Sequence, residues 1–205
     1  MLIPTMTLEE VRKEIEKDAP ILMRKANYVA VDLAKSLSKP QRIKGHVAFY
    51  EYTSKYKNKW MYRIEIAKKQ NIISCMMLYH NGKGHVGIAV SLLKGIIYHT
   101  GHFFQRYNER SNLHLKSLDE IMRSYMDHTT RFDFQPLDEI APGIRKVFCR
   151  IEPGVILGTI NHHLNLIKAN TFLSREMLRG DQIELHNQLM SEELNKYAAT
   201  SGKLD

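Results

Sequence analysis

The sequence has little cysteine and no long apolar run. Its 205 residues include two cysteines, Cys75 and Cys149, which cannot build a disulfide scaffold or a cysteine-rich zinc site. No apolar stretch approaches the roughly 20 residues of a membrane-spanning helix, so we expect no contact with a membrane. The chain reaches Glu9 and Glu10 before the apolar core of a signal peptide could form. We therefore predict a cytoplasmic protein.

Positive charge is abundant and unevenly distributed. The net charge is +8, from 30 Lys and Arg against 22 Asp and Glu. Residues 41–70 carry eight basic and two acidic side chains, residues 143–179 carry six and two, and residues 115–142 carry three and six. A patched basic surface favours polyanions, above all nucleic acid, because each phosphate contact releases counterions.

Hydrophobic periodicity predicts an α+β fold, with N-terminal helices, an antiparallel β-sheet with helices packed on it, and a C-terminal helix. Asp18-Ala19-Pro20 is expected to interrupt the first helical region, and Lys39-Pro40 to end it. Pro136 and Pro142 predict a loop. The predicted helices cover 7–38, 102–110, 117–128 and 174–199, and the predicted strands cover 46–52, 60–66, 72–79, 85–90, 145–151, 155–160 and 164–172.

The pattern divides the chain into three parts. Residues 1–40 form a helical arm, residues 41–179 an α+β core, and residues 180–205 a C-terminal helix and tail. The core is either one unit or a sheet extension over 41–95 joined to a second part over 96–179. The sequence leaves open whether residues 1–95 form a separate domain or extend the same sheet.

One predicted helix concentrates functional groups. If residues 102–110 are helical, each residue turns by about 100°, and His102, Arg106, Glu109 and Arg110 share one stripe. The aromatic residues fall beside that stripe and are expected in the core: Phe103, Phe104 and Tyr107.

This stripe suits the cleavage of RNA without a metal. The reaction needs a base for the 2′-hydroxyl proton, an acid for the leaving oxygen and fixed cations for the charge on phosphorus. His102 can act as acid or base near neutral pH, and Arg106 and Arg110 match phosphate oxygens. Glu109 can act as the base or orient a neighbour. The simpler interpretation is a solvated helix face with Glu–Arg ion pairs.

The pattern His102-x3-Arg106-x2-Glu109-Arg110 resembles a signature of small RelE/BrnT-like toxins, relatives of the barnase, RelE and colicin-type ribonuclease group. The resemblance covers about residues 96–175, where a helix again precedes three strands. The last of these, 164–172, resembles the group's closing strand, which often ends in threonine and an aromatic residue, here Thr171 and Phe172.

The resemblance implies an endoribonuclease that needs no metal and no cofactor. His102 and Arg106 carry over as catalytic and phosphate-contacting residues, with Arg110 and Thr171 as further candidates. Glu109 is either catalytic or a structural partner. The side chains expected to bind the RNA backbone come from outside the helix, and they are Lys57, Lys59, Arg63 and Lys168.

Two other functions remain open from the sequence. The first is a metal-dependent hydrolase in which His99 and His102 are ligands, with further histidines such as His162 and His163. The second is a non-enzymatic phage or mobile-element protein whose helices over 7–38 and 180–199 pair with another chain or a second copy.

The distribution of charge generates a first prediction. If the basic patches bind RNA backbone, the affinity for a labelled RNA should fall steeply between about 50 and 200 mM salt, because bound counterions are released. Fluorescence anisotropy titrations at several salt concentrations measure this slope. A flat response to salt would remove nucleic acid from the candidate ligands.

Overall fold

A computed structural model of the protein describes residues 1–67, 71–91, 95–129 and 133–201. Within these ranges the chain forms five α-helices, one short 3-10 helix and nine strands. The α-helices are α1 (Leu8–Ser36), α2 (Lys39–Lys44), α3 (Phe103–Arg110), α4 (Leu118–His128) and α5 (Asp181–Ser201). The strands are β1 (His46–Thr53), β2 (Lys59–Ile66), β3 (Asn71–His80), β4 (His85–Ser91), β5 (Gly95–His99), β6 (Asp133–Ala141), β7 (Ile144–Ile151), β8 (Gly154–Asn161) and β9 (Leu166–Ser174).

All nine strands belong to one sheet in the order β1-β2-β3-β4-β5-β9-β8-β7-β6. Strands β1 to β5 form an antiparallel meander, and β9 to β6 form a second one. The two meanders join through one parallel pair, β5 with β9. The prediction of a mixed fold with helices and a large sheet is confirmed.

Alternating side chains divide the core between the two faces of the sheet. On β2, Trp60, Tyr62 and Ile64 pack in the cluster that contains α1. Met61, between them, packs in the cluster of α3 and α4 on the other face. A smaller cluster joins Leu189 of α5 to Phe148 and Val155 of β7 and β8.

Helix α1 is part of the core, and it does not break at Pro20. Thr7 and Glu10 form the expected capping box. The helix then runs without interruption to Ser36, although the sequence predicted that it would stop at Asp18-Ala19-Pro20. Asp18 is fully buried and accepts hydrogen bonds from Asn58 Nδ2 at 2.7 Å and Trp60 Nε1 at 3.1 Å. These contacts with β2 and the turn before it stabilise the helix through the turn that proline weakens.

Two other helix boundaries differ from the sequence prediction. Lys39-Pro40, expected as an end, begins α2, because proline is well suited to the first turn of a helix. The last helical region is divided into a 3-10 helix, Arg175–Met177, and α5. Gly180, with a φ of 47°, lies between the two. Glycine tolerates this left-handed conformation, so the chain can change direction there.

Strands β5 and β6 were not predicted. The segment of β6 was assigned to a loop because it contains Pro136. In the structure β6 is the last strand of the sheet and has one neighbour, β7. Proline is tolerated on such an edge strand because one side of it needs no ladder hydrogen bonds. Strand β5 is only five residues long, too short for a clear periodicity.

The strands described before residue 95 belong to the same sheet as the later strands. Strands β1 to β4 lie side by side in the sheet and β4 pairs with β5, and α1 packs against one face of these strands with a set of buried side chains. Buried residues of α1 from Val11 to Ala30 pack in this cluster along much of the helix. None of the described helices is long and apolar enough to cross a bilayer.

The packing of α3 on the sheet generates a second prediction. A Cβ atom on Gly87 would lie 2.5 and 2.6 Å from two ring atoms of Phe104. Gly87→Ala should therefore lower the free energy of unfolding by about 1–3 kcal/mol, as overpacking does. At Gly84 a Cβ atom meets nothing within 4 Å, so Gly84→Ala should change stability by less than about 0.5 kcal/mol. Urea unfolding measures both, and equal effects would contradict the prediction.

Candidate active site

Helix α3 is anchored by its aromatic face. Phe103, Phe104 and Tyr107 are at most 1% exposed, as the sequence predicted. The Tyr107 ring packs 5.2 Å from that of Phe172 on β9, and its hydroxyl lies 2.5 Å from Nδ1 of His128 on α4. Contacts with both a strand and a second helix fix the rotation of α3, so its opposite face points outward.

The outward face carries the predicted polar stripe. His102 is the N-cap residue of α3, and its ring makes no hydrogen bond within the described part of the chain. His102, Gln105, Arg106 and Glu109 line one open cavity of about 330 Å³. Gln105 Nε2 donates to Glu109 Oε1 at 2.8 Å. An imidazole, a carboxylate and a guanidinium therefore surround a space that a small anionic group can enter.

Thr171 connects the stripe to the sheet. Its hydroxyl oxygen accepts a hydrogen bond from Arg106 Nη1 at 3.0 Å and another from Arg110 Nη1 at 3.3 Å. Arg110 Nη1 also donates to the carbonyl oxygen of Phe172. Each guanidinium is thus held at one nitrogen, and the structure brings together the predicted residues His102, Arg106, Glu109, Arg110 and Thr171.

Neither guanidinium is neutralised by a carboxylate within the described ranges. The bonds found for Arg106 and Arg110 are those to a hydroxyl and a carbonyl oxygen, and Glu109 pairs with Gln105 instead. The ion pairs of a purely solvated Glu–Arg face are therefore not seen here. Two positive charges remain available on one side of α3 for an anion that offers oxygen acceptors.

A β-bulge decides where Thr171 lies. Gly158 of β8 is opposite Ala169, but Leu157 is opposite Thr171, so β9 holds one extra residue, Asn170. The extra residue shifts the alternation, and Phe172 enters the same buried cluster as Ala169. Thr171 is left half-buried beside α3. Bulges often redirect a side chain in this way.

Two hydrogen bonds from the end of β5 hold the bulge in place. The backbone N–H of Thr100 donates to the carbonyl oxygen of Ala169 at 3.1 Å. The Thr100 hydroxyl donates to the carbonyl oxygen of Asn170 at 3.0 Å. Sequence reasoning did not identify Thr100 or Gln105. The spacing of four residues between Gln105 and Glu109 could have identified Gln105, because side chains at that spacing are neighbours on a helix.

The cations predicted outside α3 do not join this site. Lys57 and Lys59 are exposed at the β1–β2 hairpin, with β3, β4 and β5 between β2 and β9. Lys168 follows Ile167 and precedes Ala169, both buried beneath α3 and α4. By alternation its side chain lies on the other face of the sheet. These lysines therefore form surfaces separate from the stripe on α3.

Arg63, which was predicted to bind the RNA backbone, is instead held by two carboxylates in the structure. The side chain is buried, at 4% exposure. Its Nε donates to Asp127 Oδ1 at 2.7 Å and its Nη1 to Glu65 Oε2 at 2.9 Å. Two carboxylates therefore compensate this guanidinium, which is what a buried charge requires.

The predicted pair of metal ligands, His99 and His102, is also not supported. His99 is fully buried, with Nε2 2.8 Å from the Tyr125 hydroxyl and Nδ1 3.3 Å from the carbonyl oxygen of Gly87. Both ring nitrogens are thus engaged, whereas His102 is exposed. No group of three or more His, Cys, Asp or Glu side chains in the described residues is arranged to hold a metal ion. The His163 ring lies against Gly143, where a Cβ atom would clash with it.

Comparisons of the chain with protein-family models, with curated proteins and with solved structures found no match. The case for a function therefore depends on the residues and their geometry.

The burial of His99 generates a third prediction, which concerns how the free energy of unfolding depends on pH. Burial lowers the pKa of His99 from its ordinary 6.5 to about 3. The unfolded chain binds a proton at this residue below about pH 6.5, and the folded chain does not. The free energy that the neutral ring contributes is therefore present above pH 6.5 and is lost as the pH falls toward 3.

The variant His99→Gln, which cannot titrate, should be less stable at pH 7 and should lose less stability on acidification. Urea unfolding at intervals between pH 7.5 and 4 measures the slope. His162→Gln, at an exposed turn position, is the control and should keep the slope of the unmodified protein. If His99→Gln keeps it as well, His99 is not the buried titrating group.

Proposed function

We propose that this protein is a metal-independent endoribonuclease whose active site is the outward stripe of α3. The observation that carries the proposal is a pair of guanidiniums that no carboxylate of the described residues neutralises, those of Arg106 and Arg110. Both donate to Thr171, and Arg106 lines the same cavity as the exposed ring of His102. Fixed cations next to a side chain that can accept or donate a proton are what phosphodiester cleavage requires.

The reaction would proceed by attack of a 2′-oxygen on the adjacent phosphorus. A base removes the 2′-hydroxyl proton, the O2′–P bond forms, the P–O5′ bond breaks, and an acid gives a proton to O5′. His102 and Glu109 are the two candidates for these roles. They lie seven residues apart on α3, about 10 Å along the helix axis, with Arg106 between them to contact the charged phosphate oxygens.

We also propose that residues 96–175 are related to the RelE/BrnT-like toxins within the barnase, RelE and colicin-type ribonuclease group. The support is the stripe on α3, its position beside β9, and the contact of Arg106 and Arg110 with Thr171 near the end of that strand. RNA is the proposed partner. On this view the exposed Lys57 and Lys59 lie along a more distant part of the RNA. Lys168 does so on the other face of the sheet.

The second candidate is an interaction protein that pairs through its terminal helices. Its support is the exposure of Tyr28 at 68% and Val31 at 49% on the outer side of α1. The proposal is weakened because α1 already buries its main apolar face against its own sheet. A molecular size that rises with concentration, together with no affinity for RNA, would favour it.

The fourth prediction tests the ribonuclease directly. The purified protein should cleave a mixed RNA pool in the presence of EDTA. His102→Ala should slow cleavage by about 100-fold or more, the range of general acid–base catalysis. Arg106→Lys should slow it by about 100-fold, because an ammonium cannot replace the planar fork of donors. Both side chains are exposed, so the melting temperature should stay within a few degrees.

Two control variants match these changes on other surfaces. His162→Ala alters an exposed histidine in a turn, and Arg12→Lys alters an arginine that pairs with Glu16 on α1. Both should cleave at the rate of the unmodified protein. Equal cleavage by His102→Ala would place the activity elsewhere or in a contaminant, and no cleavage by any form would contradict the proposal.

A further inference from the structure

A second cavity, of about 290 Å³, opens where α3 ends. Arg110 and Ser111 form one wall, and Ser174 and Arg175 form another at the end of β9. Glu152, from the turn between β7 and β8, lies at its rim. Arg110 also donates to Thr171, which accepts a hydrogen bond from Arg106 of the first cavity as well.

The hydroxyl of Ser111 is a buried group without a partner. Its Oγ atom is inaccessible to solvent and makes no hydrogen bond to any of the described residues. A buried hydroxyl that is left unpaired destabilises a protein, so such groups in a native structure call for an explanation. Because Oγ is enclosed here, a rotation of the Ser111 side chain about χ1 is needed to bring it to a ligand oxygen in the cavity that the residue lines. That oxygen would then provide the missing hydrogen bond.

The positive charges at this cavity are weakly countered. Arg110 pairs with no carboxylate in the described residues. Arg175 is held by the backbone, since its Nη2 donates to the carbonyl oxygen of Glu152 at 2.7 Å. The Glu152 carboxylate is 3.6 Å from the same nitrogen and 76% exposed, so an anion can displace it. The remaining carboxylate at the cavity, that of Glu176, is also exposed.

We propose that this second cavity binds the phosphate next to the one that is attacked, so that the substrate is an RNA strand with at least two consecutive phosphodiesters. The inference rests on the proposed ribonuclease function. Arg106 and Arg110 lie one helical turn apart, about 6 Å along the axis, a separation comparable with that of neighbouring phosphates in a strand. Arg110 and Arg175 then contact the second phosphate, and Ser111 donates to it.

The fifth prediction concerns strand length. The probes are fluorescein-labelled 2′-O-methyl oligonucleotides, which cannot be cleaved: a dinucleotide with one internucleotide phosphate and trinucleotides with two, extended at the 5′ or the 3′ end. Fluorescence anisotropy should show that the protein binds one trinucleotide at least 10-fold more tightly than the dinucleotide. A dinucleotide fills only the first cavity, so it gains nothing from the second.

Variants at the second cavity should remove this preference. Ser111→Ala should reduce the ratio of affinities about threefold, and its melting temperature should stay the same or rise because an unpaired hydroxyl is removed. Arg175→Ala should reduce the ratio to near one and lower the salt slope for the trinucleotide by about one. Glu152→Gln should increase the ratio. Arg12→Ala, on the other face of the sheet, should leave it unchanged.

The two proposals can fail separately. Cleavage of the RNA pool in EDTA with equal affinities for both lengths would leave the ribonuclease standing and overturn the second phosphate site. A preference for the trinucleotide that is unchanged in both Ser111→Ala and Arg175→Ala would overturn it as well. A preference that Ser111→Ala reduces and Arg175→Ala removes, without cleavage by the unmodified protein, would support the phosphate site and contradict catalysis.

Discussion

The parallel pairing of β5 with β9 is the constraint on which the site depends. It joins the two antiparallel meanders into one sheet. Strand β5 ends at His99, but β9 continues to Ser174, so the edge of β9 beyond Ala169 is open to another element. Helix α3 follows β5 directly and lies beside that edge. The hydrogen bonds of Thr100 to β9 fix the place where the helix begins.

The arginines of this basic chain separate into two kinds by what surrounds them. Arg63 is buried between Asp127 and Glu65, so its charge is neutralised and its ion pairs hold α4 to β2. Arg106 and Arg110 are oriented by a hydroxyl and a carbonyl oxygen and keep their charge. An uncharged acceptor orients a guanidinium without neutralising it, which is the arrangement that an anion-binding site needs.

The sequence predicted local features of the fold well and long-range features poorly. The capping boxes at Thr7 and Ser117 and the aromatic anchors of α3 were identified because each depends on residues within two helical turns. The continuation of α1 through Pro20 was missed because it depends on Asn58 and Trp60, some forty residues away. Strand β6 was missed because it contains a proline, which is compatible with an edge strand only. Whether a strand lies at the edge depends on the strand order of the whole sheet, which local sequence does not reveal.

The candidate site divides in the same way. The sequence by itself determined that His102, Arg106, Glu109 and Arg110 share one side of a helix, because 3.6 residues per turn follows from hydrogen bonds four residues apart. Only the tertiary structure decided that the Thr171 hydroxyl accepts hydrogen bonds from two of these side chains. It also decided that Lys168 lies on the opposite face of the sheet. A bulge and a parallel strand pair set those positions, and both arise from pairing between distant segments, which no local pattern encodes.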